Sequence, residues 1–142
     1  MTETAIVCKN REDWLEQRKD LLTASDAASI LGQNPWKSAM ALYAEKLGLM
    51  PPQEETQKMR SGRKLQRAIA EMYSEDTGRT LVDPGEFTIA VHPEVPYVAA
   101  TLDYRQKDKD QGEGVLEIKN NEGEWIDEPP VYVQIQVQHQ LP

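Results

Sequence analysis

The sequence predicts one α/β or α+β domain in which helices pack on a small sheet. Helical spacing and helix-opening residues dominate up to Gly78, and the stretch after it turns β-rich. At 142 residues the chain can bury one core but not two independent ones. Its 39% hydrophobic and 28% charged residues are a globular balance.

The elements follow in order. "NREDWLEQRKDLL" reads as a helix with Asn10 as N-cap and Trp14, Leu15 and Leu21 turned inward. In "TASDAASILGQNPWKS", Ser25 or Thr23 opens a short helix that Gly32 ends and Asn34-Pro35 turns. "KSAMALYAEKLGL" is a third helix, capped by Ser38 and stopped near Gly48, and "LMPPQEE" is a linker. The longest helix runs from Thr56 to Asp76, with Met59, Ile69, Met72 and Tyr73 on its buried side and Thr77-Gly78 closing it. "FTIAVH", "YVAATLDYR" and "GVLEIK", separated by Pro93, Pro96 and a polar "QKDKDQGEG" turn, predict consecutive antiparallel strands. In "PPVYVQIQVQHQLP", Val and Ile alternate with Gln at period two, which locally favours a strand.

Composition narrows the function classes. No apolar run approaches the roughly 20 residues that span a bilayer, and "MTETAIVCKNRED" lacks a cleavable signal pattern. The cytoplasm is the expected compartment, with no membrane partner. Cys8 is the single cysteine, so it forms no internal disulfide or zinc cluster and reads as inert. A net charge of -8 argues against generic polyanion binding, which rests on Lys and Arg displacing counterions. The distribution is uneven, however. "KMRSGRKLQR" contains no acid, and on a helix Arg60, Arg63, Lys64 and Arg67 form one stripe. That stripe is either a solvated face or one that meets phosphates.

Chemistry concentrates in "YVAATLD" and "GVLEIK". An antiparallel hairpin can bring Asp103, at the end of the first, beside Glu117 of the second. Lys119 lies two residues on, on the same face of an ideal strand as Glu117. Two carboxylates and substrate phosphate suffice for Mg²⁺, a hard ion that keeps several waters. A neighbouring lysine can orient or deprotonate the attacking water, or neutralise charge on phosphate. The bland reading is a turn residue and a surface ion pair worth little.

The order "LD…EIK" resembles the PD-(D/E)XK nuclease core, with Thr101-Leu102-Asp103 in place of its Pro-Asp dipeptide. More specifically, "WLEQRKDLLTASDAASILGQNPWKS", "SGRKLQRAIAEMYSEDTG", "VAATLDYR", "LEIK" and "VQIQVQHQL" resemble, in this order, the YqaJ-type viral recombinase family that includes phage lambda exonuclease. The resemblance runs from Trp14 to Leu141. It implies a restriction-endonuclease-like α/β core, a small mixed sheet flanked by helices, with residues 1–142 forming a single nuclease-like domain. It also implies a Mg²⁺-dependent exonuclease, with Mn²⁺ able to substitute, that resects linear duplex DNA from its 5′ end. The expected partners are double-stranded DNA ends and a single-strand annealing protein, in a bacterial host cell and encoded by a phage or prophage. A homotrimer is expected if the domain is complete.

By the same resemblance, Asp103 and Glu117 bind metal, Lys119 acts on the attacking water, and Gln136 is the active-site glutamine of a following helix. That replaces the strand reading of the last segment, because on a helix Tyr132, Gln136 and Gln140 share a face. His139 reads as structural. Arg18 and Ser25 match contacts to the terminal 5′-phosphate, for which a guanidinium fork and a hydroxyl at a helix start are suited. Arg63, on the basic stripe, is a further DNA-facing candidate. Two departures stand out. Gln66 occupies a position where the family usually carries a metal-binding Glu, and an amide oxygen is a poorer, uncharged ligand. The family also continues beyond the glutamine helix, which implies a chain truncated at its C-terminus. Both keep a second function open, a weak or inactive member that grips DNA ends or a recombination partner without cutting.

Overall fold

Asn10, Thr23, Ser38 and Thr56 each hold extended backbone and open a helix, which follows from the orphan N–H groups that their short oxygen-bearing side chains satisfy. Asn10 accepts from the Asp13 N–H at 2.9 Å, Ser38 from Ala41 at 3.1 Å and Thr56 from Met59 at 3.2 Å. Thr23 forms a capping box with Asp26, whose Oδ2 accepts from the Thr23 N–H at 3.0 Å. The computed structural model describes residues 4–121, 123, 125 and 127–141. They form two units, one from Met1–Pro52, Gly85–Thr101 and Trp125–Pro142, the other from Gln53–Pro84 and Leu102–Glu124.

In the first unit, β1 (Thr4–Val7) leads to α1 (Arg11–Gln17), a 3-10 turn (Arg18–Asp20), β2 (Leu22–Thr23), α2 (Ala24–Ile30) and α3 (Ala39–Lys46). In the second, α4 (Gln57–Thr77) and β3 (Thr80–Val82) come next. The chain returns to the first unit for β4 (Thr88–Val91) and β5 (Val98–Ala100), then to the second for β6 (Tyr104–Asp108) and β7 (Gly112–Leu116). It ends in the first with α5 (Val131–Gln140).

The first sheet has the order β1-β4-β5-β2, antiparallel except where β2 runs parallel to β5. Its core joins Cys8, Leu21, Ile89, Val91 and Ala99, with Ile6, Trp14 and Phe87 packed against them. Burial pushes the Cys8 thiol up, aided by the charge of Asp13, so the thiolate is disfavoured. Ile89 is fully buried. We expect Ile89→Ala to lower unfolding free energy by about 3 kcal/mol, read from urea titration, because the removed methylenes leave a cavity in a close-packed centre. A loss below about 1 kcal/mol would mean that this centre collapses to fill the gap.

The second sheet has the order β3-β6-β7 and is antiparallel throughout. Helix α4 packs on β3 and ends at Gly78, whose φ of 68° is the left-handed conformation that glycine adopts without strain. Tyr73 Oη donates to Gln106 Oε1 at 2.8 Å, which ties α4 to β6, and Arg79, between α4 and β3, pairs through Nε with Asp108 Oδ2 at 2.8 Å.

Several sequence expectations need correction. "YVAATLDYR" is not one strand: β5 stops at Ala100 in the first sheet and β6 begins at Tyr104 in the second. The polar "QKDKDQGEG" stretch is mostly β6 and β7, and the turn itself is only Lys109–Gln111. Met59 and Met72 are exposed, while Ala70 is the buried residue of α4, with Ile69 and Tyr73 half-buried. α5 is a helix, as the resemblance implies and the period-two pattern does not. It packs against α2 and buries Val133 and Gln140, seven residues apart, a helical repeat that the Val/Gln alternation conceals.

Candidate active site

The β6–β7 ladder pairs Tyr104 with Leu116, so the next residues outward on the two strands are Asp103 and Glu117. Both acids therefore sit just past the strand ends, rather than within the strands as the alternation reading places them. The Ile118 N–H donates to Asp103 Oδ2 at 2.8 Å and extends the pairing by one step. Lys119 Nζ lies 2.6 Å from Glu117 Oε1, so lysine and acid do share a side. From α4, the Gln66 side chain lies close enough to Asp103 to favour its ionised form. The structure thus brings Asp103, Glu117, Lys119 and Gln66 together within the second unit.

Electrostatics make this an unusual corner. Burial first, and the Glu117 charge second, push the Asp103 carboxyl up to about 6, against the Ile118 N–H, Lys119 and Gln66, which favour its ionised form. Glu117 exposes only 8% of its side chain, which keeps water from screening the repulsion. Two half-buried carboxylates share one ammonium, and the surplus negative charge and hard oxygen donors fit a divalent cation. Asp103 and Glu117 would hold it, with the Gln66 amide as a neutral neighbour. No group of three or more His, Cys, Asp or Glu side chains suited to a metal occurs among the described residues, so this set rests on two acids.

A pH prediction follows. The folded state holds the Asp103 proton more tightly than the unfolded chain does, so stability from this group is full below about pH 4 and is lost as pH rises through about 6. A divalent ion held by Asp103 and Glu117 would displace that proton and quench the repulsion. Mg²⁺ should therefore raise Tm more at pH 8 than at pH 5, measured by thermal melting with and without the ion. Equal shifts at both pH values would remove Asp103 from the binding set.

Arg18 and Ser25 are also brought together, within the first unit. Arg18 Nη2 donates to Ser25 Oγ at 2.6 Å and to Thr23 Oγ1 at 2.9 Å, and the guanidinium stacks 4.2 Å from the centre of the Trp14 ring. Trp14 is fixed in turn, its Nε1 donating to Thr101 Oγ1 at 2.9 Å. Gln136 is half-buried on α5. His139 Nε2 lies 3.1 Å from the Ala99 carbonyl oxygen, a backbone contact that suits a structural role. Arg63 forks onto Glu55, with Nε to Oε1 at 3.0 Å and Nη2 to Oε2 at 3.3 Å, and Arg67 pairs with Glu71 at 3.0 Å. The exposed stripe therefore carries acids among its bases. Sequence reasoning missed Asp26 and Lys46, which surround Arg18. The Thr23-x-x-Asp26 capping signature pointed to the first, and no local signal pointed to the second.

The fold and this corner define the chain as a restriction-endonuclease-like α/β protein. The YqaJ-like viral recombinase domain matches residues 13–142, and the chain belongs to that family. It is 31% identical over 139 residues to the uncharacterized protein YqaJ of Bacillus subtilis (strain 168), a match covering 93% of this chain and 42% of that one. It is 29% identical over 145 residues to the uncharacterized protein R354 of Acanthamoeba polyphaga mimivirus, covering 92% and 26%. The crystal structure of the alkaline exonuclease LHK-Exo from Laribacter hongkongensis matches at a TM-score of 0.67 and 23% identity, over 91% of this chain and 66% of that one. Its complex with dAMP matches at 0.67 and 22%, over 90% and 66%. These structural likenesses show the shared fold. The chain spans less than half the length of the curated relatives it matches and about two thirds of the exonuclease.

Proposed function

We propose that this chain acts as a divalent-metal-dependent deoxyribonuclease that degrades linear duplex DNA from its 5′ end in recombination. The observation that carries this reading is the pair of mutually repelling acids, Asp103 and Glu117, at the end of β6–β7 with Lys119 on one and Gln66 on the other. Mg²⁺, with Mn²⁺ as a substitute, would be held by Asp103 and Glu117. When bound, the ion supplies Lewis-acid polarisation of the scissile phosphate and makes water a better nucleophile. Lys119 orients Glu117 and offers its ammonium to the attacking water or to charge developing on the phosphate. Gln136 is the further active-site residue that the family resemblance assigns.

Arg18 and Ser25 are proposed to grip the terminal 5′-phosphate, and Arg63 to approach the backbone by releasing Glu55. The exonuclease that shares this fold was captured with dAMP, and a mononucleotide is what stepwise hydrolysis from a DNA end yields. The proposed partners are DNA ends and a single-strand annealing protein that takes up the exposed strand, in the cytoplasm of a bacterial cell carrying the phage or prophage. A homotrimer and a single nuclease domain belong to the same reading. Incubating linear 5′-phosphorylated duplex with Mg²⁺, and separately with EDTA, tests it through release of acid-soluble nucleotides. Release in Mg²⁺ alone is the expected result. Tight end binding without release favours the alternative suggested by Gln66, a module that holds ends without cutting.

Replacing Arg18 with Ala should cut the preference for 5′-phosphorylated over 5′-hydroxyl ends on the order of tenfold, since a charge-assisted fork to a dianion is lost. Arg18→Lys should restore it only in part, because an ammonium cannot reproduce the fork. Competition between the two ends in one digestion reads the effect. Equal slowing of both would make Arg18 a structural residue.

A further inference from the structure

Lys46 spends all three of its N–H donors on the corner that holds Arg18. Its Nζ donates to the Arg18 carbonyl at 2.7 Å, to the Leu21 carbonyl at 2.5 Å and to Asp26 Oδ2 at 2.7 Å. The two carbonyls lie at the start of the 3-10 turn that carries Arg18 and just past its end, so the ammonium pins the turn as well as the acid. Asp26 Oδ2 also accepts from the Thr23 N–H at 3.0 Å and Thr23 Oγ1 at 2.8 Å, while Asp26 Oδ1 stands 3.9 Å from Arg18 Nη2. Only 7% of the Asp26 side chain and 19% of those of Arg18 and Lys46 reach solvent.

Charge decides what this arrangement does. Arg18 alone with a buried aspartate 3.9 Å away would be a neutral pair with little attraction for a phosphate. Lys46 changes that balance by taking the acid at 2.7 Å. Glu45, the other acid whose field reaches Arg18, is held by Lys37 at 2.6 Å. What remains is a surplus positive charge on a guanidinium stacked on Trp14, beside the exposed Ser25 hydroxyl.

We propose that Lys46 and Asp26 are positioning residues for phosphate recognition by Arg18 and Ser25: Lys46 neutralises Asp26, leaving the charge of the Arg18 guanidinium to meet a terminal phosphate. This rests on the reading of Arg18 and Ser25 as the grip on the 5′ end. It adds a specificity determinant from α3, an element outside the turn and helix that present the two contacts.

The test is fluorescence anisotropy of the full chain with labelled duplexes bearing a 5′-phosphate or a 5′-hydroxyl, in EDTA so that nothing is cut. The wild-type protein should prefer the phosphorylated end on the order of tenfold. Lys46→Met should erase most of that preference while leaving hydroxyl-end affinity within about twofold, because Asp26 then neutralises Arg18. The double variant Asp26→Asn/Lys46→Met removes both charges and should restore the preference, a rescue that a merely structural role would not give. Thermal melting checks folding. If Lys46→Met melts below the assay temperature, the double variant, with no buried charge left unpaired, decides: preference kept supports the proposal and preference lost overturns it. A preference unchanged in Lys46→Met but lost in Arg18→Ala overturns this proposal and spares the reading of Arg18. No preference in the wild-type protein overturns both.

Discussion

Asp103→Ala and Glu117→Ala should each reduce Mg²⁺-dependent digestion of linear duplex by about 10³-fold or more, at least as much as the ~10²–10³ lost with one preorganised donor. Among the described residues no third acid joins the two, so in the proposed site losing either would leave a cation one carboxylate. Lys119→Ala should cost less, on the order of 10²-fold, because its ammonium touches Glu117 and in the proposed role would act on charge rather than hold the ion. Structural damage is separable from lost chemistry by Asp103→Asn. The amide oxygen can still accept from the Ile118 N–H, which preserves the β6–β7 closure, while the metal-binding charge is gone. A folded Asp103→Asn protein that digests DNA at the wild-type rate would dispose of the assignment.

The helices were legible because their starts are written locally. Asn10, Thr23, Ser38 and Thr56 act through hydrogen bonds three residues away, and Gly78 through its own φ, so a short window contains the whole cause. The sheets were harder. β1 pairs with β4 more than eighty residues away, and β2 is two residues long and exists through β5, causes that no window around them contains. α5 misled local reading because its buried positions are chosen by packing against α2, which the Val/Gln alternation does not record. At the candidate site, the acids and lysine were readable from "LD…EIK", since register follows from hairpin pairing. Lys46 was not, because its partners are backbone carbonyls and an aspartate twenty or more residues distant.

Gln66 gives the test in which activity should rise. Its neutral amide lies near Asp103 and favours the ionised form of an acid that is itself hard to ionise. Gln66→Glu would set a third carboxylate beside two that already repel. Without a metal ion the variant should therefore be less stable at pH 8 than the wild-type protein, and the Asp103 carboxyl should move further up. With Mg²⁺ the balance inverts. Three carboxylates against one ammonium leave a larger negative surplus for the ion, and a third charged ligand gives a second ion somewhere to sit, which a two-ion displacement requires. Affinity for Mg²⁺ by calorimetry and the digestion rate should both rise, each on the order of tenfold or more, an effect comparable to deleting a ligand but of opposite sign. The apo destabilisation and the gain with Mg²⁺ form a linked pair, since an ion that binds only the folded state raises stability with the logarithm of its concentration relative to Kd. The competing expectation is that Gln66 is only a helix residue near Arg63 and Arg67, where a new carboxylate would make a modest ion pair. That alternative predicts a slightly more stable apo protein, with Mg²⁺ affinity and rate unchanged, and such a result would take Gln66 out of the site.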